Sequence, residues 1–470
     1  MRVGEVAARA GVNVETIRNY ERRGLLPQPA REPSGHRRYD DETVRFLRAI
    51  KDAQAVGFTL AEIGEYLRAA RRSASPTEAL RVRMASKIDE IDSRIAGLRR
   101  MRDELARVVG CGCDSLDRCT CGAAYLARRG REPSIPAERL HVTNGESTAN
   151  TLRRTGLGGA VLPWQDVLHE GPVPSVPRVA LLRTRAAFLS ECGWGSRRAI
   201  LSSLELRDRQ LHQALDGGVP VVLWFEHDLY DQLQLLDVLA LAHEAGAAPE
   251  AIVVDSFPGR PAFRGLGELS EDQLETLWPT RRIVTSEALE SAASAWRAFR
   301  ASDPQALALW AARGAEELPF LAAALGRLLE ELPAPSDGLS GTERRALRAI
   351  AEGARTPGEA FLAAQDLEDA PFLGDAWFYR ALAAIGRGRV RLVEAQDGEE
   401  LPIAPPLGDG RLFSGLTLRL TAEGERVLGG ESDRVAALGV DRWVGGTHVA
   451  PSTLWRWDAS RRRLVPPSAR

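Results

Sequence analysis

Apolar residues near the start of the chain recur at helical spacing: Val6 and Ala10, then, beyond Gly11, Val14 and Ile17. The pattern predicts two short helices joined by a tight turn. The second opens after Asn13, whose side chain can accept from an orphan backbone amide, and ends at Gly24. With the apolar residues turned towards each other, Thr16, Arg18, Asn19, Arg22 and Arg23 face outward, and such a second helix fits a DNA major groove. PSGHRRYDDE follows, with a turn at Gly35 and a protruding wing carrying His36, Arg37, Arg38 and Tyr39. Asp40 or Asp41 then caps a helix bearing Val44, Leu47 and Ile50, and a TLAE capping box at residues 59–62 opens another with Leu60, Ile63 and Leu67 on one face.

From the Ser75-Pro76-Thr77-Glu78 capping box the helical pattern runs unbroken to Val109, about 34 residues or about 50 Å at about 1.5 Å per residue. Met84, Ile88, Ile91, Ile95, Leu98, Leu105 and Val109 repeat at 4-3 spacing, with Arg102 at one seam position. That predicts a coiled-coil dimerisation helix. GCGCDSLDRCTCG follows at once and crowds Cys111, Cys113, Cys119 and Cys121 into one loop. Both pairs are spaced C-x-C, unlike the C-x2-C of structural zinc sites. Zinc, copper(I) or mercury(II), an iron–sulfur cluster, and metal-free redox thiols all remain open for these residues.

Beyond a linker-like stretch at 127–139, the period changes. Leu140–Val142, Ala160–Leu162, Val219–Phe225 and Ala251–Val254 read as short apolar strands, separated by helical stretches such as Ser196–Leu215 and Tyr230–Ala245. This alternation predicts a parallel α/β sheet. Ligands bind such sheets at the carboxyl ends of the strands, so Asn144, Ser147, Asp166, His169, Glu170, His227 and Asp228 form a candidate ligand site, with Ser147 opening a helix whose N-terminus could hold an anion. Carboxylates beside imidazoles could bind a divalent ion or divide into base and acid. ELPAPSDGLSG at 331–341 has the composition of a second linker. Helices around Thr342–Glu352 and Asp375–Ile385, strands at Val390–Val393 and Leu416–Leu420 and a helix from Thr421 give a winged-helix outline.

Composition narrows the setting. With 470 residues, 44% hydrophobic and 27% charged, the chain can build several separate cores. No run approaches the ~18 apolar residues of a membrane helix and no signal-peptide core opens the chain, so a cytoplasmic protein with no membrane partner is expected. Reduced thiols follow from that setting. The formal net charge is only -2, but residues 1–110 hold 22 Arg and Lys against 16 Asp and Glu, so the front carries the positive excess that a polyanion attracts.

TIRNYERRGLL, SGHRRYD and VGFTLAEI, in that order, resemble the MerR family of transcription regulators over residues 1–125. The resemblance implies a winged helix-turn-helix, a homodimer, double-stranded promoter DNA as partner, and activation of RNA polymerase at untwisted promoters. Carried over by position, it makes Arg18, Tyr20, Arg37 and Tyr39 DNA contacts, joining Thr16, Asn19 and Arg38 as DNA-binding candidates. Asn19 and His36 stand where the family more often has aromatic residues. Metal sensors of the family bind their ion at this place through two cysteines separated much as Cys111 and Cys119 are, and the CGC-x5-C portion is similar to the cluster motif of its iron–sulfur redox sensors. That motif's additional cysteine falls on Val108, and the sensor cysteine near the start of the dimer helix is replaced in the Thr77 region. HVTNGESTANTLRRTGLGG, LPWQDVLHEGPVP and WFEHDLYDQLQL resemble a bacterial domain family of unknown function.

The expected architecture is therefore multidomain. A winged helix-turn-helix (1–75), a dimerisation coiled coil (76–109), a Cys-rich metal or redox loop (110–126) and a linker (127–139) precede an α/β parallel-sheet domain (140–332) and a winged-helix-like α+β domain (338–470). The expected function is a DNA-binding regulator responding to a thiophilic metal or redox signal, with the rear as a ligand-binding accessory. A fused metal- or nucleotide-dependent hydrolase and a protein-interaction platform are the competing readings.

Overall fold

The computed structural model describes residues 1, 3–10, 12–22, 26, 30–31, 37–55, 138–260, 263–408 and 410–467. They fall into two compact units, Met1–Glu132 and Pro133–Arg470. The expected capping-box helix at 59, the coiled coil, the four clustered cysteines and most of the first linker lie outside the described residues.

In the first unit, helix α1 (Val3–Ala10) and helix α2 (Val14–Arg22) meet across the Val12–Asn13 turn. Asn13 starts α2 as its residue type predicts: its Oδ1 accepts from the Thr16 amide at 2.6 Å and the Thr16 hydroxyl at 2.7 Å. Strands β1 (Ala30–Arg31) and β2 (Arg37–Arg38) pair antiparallel, and α3 (Asp41–Ala55) closes the core. Val6, Ala10, Ile17, Val44, Leu47 and Ile50 are all buried there, as their spacing predicts. The chain start is tied to the end of the wing by reciprocal bonds, Met1 N to Tyr39 O at 2.8 Å and Tyr39 N to Met1 O at 3.1 Å.

The second unit is built on a five-stranded sheet. Its strands are β3 (Leu140–Thr143), β4 (Ala160–Pro163), β5 (Val221–Glu226), β6 (Glu250–Val254) and β7 (Arg282–Ile283), in the order β4-β3-β5-β6-β7. The first four are parallel and β7 is an antiparallel edge. β5 is buried along its whole length, because Val221, Leu223 and Phe225 face one core while Val222 and Trp224 face another across the sheet. The two-residue edge β7 has no apolar run to announce it, and its Ile283 is exposed. Ser196 caps the helix Arg197–Asp216 and Asp228 caps Leu229–Glu244, both close to the expected positions.

Beyond the sheet, helices Gly341–Ala351, Pro357–Gln365 and Asp375–Ile385 lead into the antiparallel pair β8 (Val393–Ala395) and β9 (Leu418–Leu420), with the short helix Gly410–Ser414 between the two strands. The segment 331–341 reads as a linker by composition, yet it is packed: Glu331, Leu332, Asp337, Leu339 and Ser340 are all buried. Glu331 binds Arg327 at 2.7 Å and Arg442 at 3.1 Å, so an acidic residue that composition assigns to a solvated hinge serves as a buried clamp. Two final hairpins, β10–β11 (Arg442–Val444, Thr447–Val449) and β12–β13 (Arg456–Asp458, Arg463–Val465), return to the sheet's core, where Val444, Val449 and Trp457 join its apolar cluster. Gly445 turns at a φ of 58° against Phe299, and any Cβ there would come within 2.3 Å of the Phe299 carbonyl. No helix among the described residues is long and apolar enough to cross a membrane.

Candidate functional site

On the first unit, α2 and the wing place cationic groups on the surface. Arg18, Arg37 and Arg38 are exposed, and Thr16 is half-buried with its hydroxyl bonded to Asn13. Asn19 lies on α2, and only its backbone is described. Tyr20 and Tyr39, taken as DNA contacts from the family pattern, are only 5% and 6% exposed, and their rings fill the core between α1, α2 and α3. Their apolar area explains the placement, since a tyrosine ring contributes more to a small core than to a wet surface. The Tyr39 hydroxyl donates to Glu21 Oε1 at 2.6 Å, while Arg37 Nε pairs with Glu21 Oε2 at 3.2 Å. Burial, reinforced by that bond to Glu21, holds the Tyr39 phenol far above its ordinary range, so it stays a neutral donor. Glu21 thus fastens the wing to the helix that would enter a groove. Residues 32–36, including His36, lie outside the described residues.

On the second unit, the chain runs from β3 to β4 on one side and returns to β5 on the other, which makes the β3/β5 crevice the topological switch point where open α/β sheets bind ligands. Asn144 leaves β3 there, and its Nδ2 donates to Asp231 Oδ2 at 2.8 Å and to Glu226 Oε1 at 3.3 Å. The Glu226 amide donates to Asp231 Oδ1 at 2.7 Å, and the Leu266 amide to Glu226 Oε1 at 2.6 Å. Glu226, Asp228 and Asp231 bring carboxyl oxygens within 4.8 Å of one another, with no histidine joining the group. The segment around Gly265–Gly267 covers them: a Cβ on Gly265 would meet Glu226 Oε2 at 2.4 Å, and the Ser147 hydroxyl donates to Gly267 O at 3.1 Å.

Of the expected site, Asn144 and Asp228 therefore converge, but the imidazoles do not join them. His169 is 4% exposed and packs edge-on against Tyr230 and Phe372, with both ring nitrogens lacking a partner; burial pushes its pKa down to about 3, so the ring is neutral. The Tyr230 hydroxyl bonds Asn144 O at 3.2 Å and its ring faces His169. His227 turns towards Phe320, and burial lowers its pKa as well. Asp166 is held by Arg185 at 2.8 Å. Gly145, not Ser147, caps the short helix Glu146–Leu152, and Glu146 in its first turn opposes an anion there. Glu226, which ends the third apolar strand beside His227 and Asp228, joins Asn144 and Asp228, and Asp231, on the following helix, is the member that strand-end reasoning misses. The run EHDLYD, with three carboxylates in six residues at the end of a buried strand, was the available signal.

None of the three clustered carboxyls has an ion-pair partner among the described residues, whereas Asp166, Asp208 and Asp237 each meet an arginine. Burial therefore raises the pKa of all three, and the charge of Asp228 adds to the rise at Glu226. Unfolded, such groups lose their protons near about pH 4; folded, they keep them to higher pH. The native state then binds more protons between those limits, and stability falls as pH rises from about 5 towards 8. Glu226→Gln is expected to flatten that fall by roughly 1–2 kcal/mol in urea titrations across this range. An unchanged slope would contradict the shared desolvation.

A short helix–turn–helix with a β wing and an exposed arginine face defines a DNA-binding protein of winged helix-turn-helix class. The family model described as MerR HTH family regulatory protein matches residues 1–70, and the model described as MerR, DNA binding matches residues 44–108. The mercuric resistance operon regulatory protein of Bacillus cereus is 42% identical over 100 residues, covering 21% of this chain and 76% of that protein. The HTH-type transcriptional activator SoxR homolog of Chromobacterium violaceum is 38% identical over 119 residues, 25% of this chain and 79% of that protein. A solved structure of the regulator MerR from Bacillus megaterium with mercury(II) is 33% identical and covers 27% of this chain and 99% of its own, at a TM-score of 0.23. Through its N-terminal ~110 residues, the chain belongs to the MerR family of helix-turn-helix regulators.

Proposed function

We propose that the chain is a one-component transcription regulator that binds promoter DNA as a homodimer, acts on RNA polymerase, and responds to a thiophilic metal ion through Cys111, Cys113, Cys119 and Cys121. The observation that carries the DNA-binding part is the arginine face shared by α2 and the wing, with Glu21 locking the two together. The effector rests on chemistry: four thiols within eleven residues favour soft cations. A mercuric resistance operon regulator among the relatives supports the same class of ion. The α/β unit is an accessory ligand-binding part of the same chain.

Control by an ion requires that it bind one DNA-bound state more tightly than another. In a reporter strain titrated with mercury(II), copper(I) or zinc, the paired change Cys111→Ser and Cys119→Ser is expected to reduce a tenfold or larger response to less than about twofold. Operator affinity without metal should be unchanged. A full response in the double variant would sink the sensor assignment.

A further inference from the structure

A cavity of about 280 Å³ lies between the β4–helix loop, the helix Asp375–Ile385 and the hairpin β10–β11. Seven charged residues line it, and four are paired within the protein: Glu331 with Arg442 at 3.1 Å and Glu343 with Arg434 at 2.8 Å; Asp441 lies at the exposed rim, 2.7 Å from His448 Nε2. The remaining two are Glu170 and Arg380, which make no ion pair or side-chain hydrogen bond among the described residues. Arg380 is held over the Trp377 ring, 5.4 Å from its centroid. Trp443 and Phe188 supply further flat apolar wall.

Two opposite, unpartnered charges on one partly buried wall each carry a desolvation cost that a pair within the protein would offset. They form no ion pair with each other, and Arg442, whose charge also acts on Glu170, is bonded to Glu331. Burial holds the Glu170 carboxyl above its ordinary range, although the charges of Arg442, Arg380 and Arg185 pull the other way. A guest with one cationic and one anionic end, a few ångströms apart, satisfies both at once, and the aromatic wall accommodates an apolar side chain. The volume suits a small metabolite, below the about 300–1,000 Å³ of most ligand pockets.

We infer that this cavity binds a free amino acid or a zwitterion of that size, its ammonium on Glu170 and its carboxylate on Arg380. The site is separate from the carboxyl crevice at β3/β5 and from the DNA-binding unit. Guanidinium–carboxylate and ammonium–carboxylate bonds are charge-assisted, so each end contributes to affinity and to orientation.

The test is calorimetric titration of the full chain with L-phenylalanine and L-leucine, each beside its amide and its N-acetyl derivative, which lack the anionic and the cationic end respectively. Saturable binding of one of the amino acids is expected, with both blocked derivatives weaker by about tenfold or more. Glu170→Gln should abolish the distinction between the amino acid and its N-acetyl form. Arg380→Met should abolish the distinction between the amino acid and its amide. No saturable binding of either amino acid up to about 10 mM overturns the assignment, as does blocking either end without loss. If a variant unfolds, the comparison of blocked and free probes on the unaltered chain still decides.

Discussion

Arg185→Met is expected to destabilise the second unit by about 3–5 kcal/mol, a large part of the about 5–15 kcal/mol that holds a domain together. Arg185 is 0% exposed. Its Nε and one terminal nitrogen both donate to Asp166 Oδ1, at 3.1 and 2.8 Å. The remaining donors reach the Val167 carbonyl at 2.9 Å, the Glu170 carbonyl at 2.6 Å and the Pro172 carbonyl at 3.4 Å, and the guanidinium lies 5.2 Å from the Phe188 centroid. One side chain thus satisfies a loop of buried backbone acceptors and pairs the buried Asp166 carboxylate. A methionine leaves the carboxylate and the carbonyls unpaired in the interior, and lysine lacks the planar fork that spans them. All ten tryptophans lie between Trp164 and Trp457, so fluorescence in urea reports this unit alone. The exposed pair Arg153–Glu146, at 2.8 Å, is the control, and Arg153→Ala should change stability by less than about 1 kcal/mol. A loss from Arg185→Met as small as that of the control would contradict the role given to this arginine. Adding Asp166→Leu to Arg185→Met should recover part of the loss, because it removes the stranded charge.

The same loop shows where sequence reasoning stops. Asp166, His169 and Glu170 are polar residues just past a strand, and strand ends in α/β sheets are where ligands bind, so grouping them with Asn144 was sound in topology. The three are divided by contacts that have no local signature. Asp166 is neutralised by an arginine nineteen residues away, His169 is walled by Tyr230 and Phe372, and Glu170 opens onto a cavity completed by residues beyond 375. Periodicity carries no information about such distant partners.

Elements with a strong local code were legible. Asn13, Ser196 and Asp228 cap the helices that follow them, and β5 is buried throughout as its unbroken apolar run requires. The helix Pro357–Gln365 has too little apolar periodicity to announce itself, yet Thr356-Pro-Gly-Glu359 forms a complete capping box at its start. Tyr20 and Tyr39 illustrate a different limit: an amphipathic side chain reads equally well as surface contact or core, and only packing decides. The linker-like segment 331–341 failed for a related reason, since proline, serine and acid describe a hinge only while no arginine arrives to bury the acid.

If α2 and the wing read promoter DNA, as proposed, removing their arginines has consequences that differ in kind. Arg37 sits in the wing with its guanidinium on Glu21, placed for a phosphate, so Arg37→Ala should weaken binding to all sequences alike and lower the salt slope by about one unit. Arg18 is exposed on α2, the helix proposed to enter the groove, so Arg18→Ala should cost about 1–3 kcal/mol and broaden sequence preference. The most direct measurement is selection of bound DNA from a random duplex pool by the full chain, followed by titration of the recovered sequence across a salt series with the chain and both variants. The expected result is a recovered motif of two inverted half-sites, a steep salt dependence, and the two distinct losses. Recovery of no motif, or affinities and salt slopes in both variants equal to those of the unaltered chain, would contradict DNA reading by α2 and the wing.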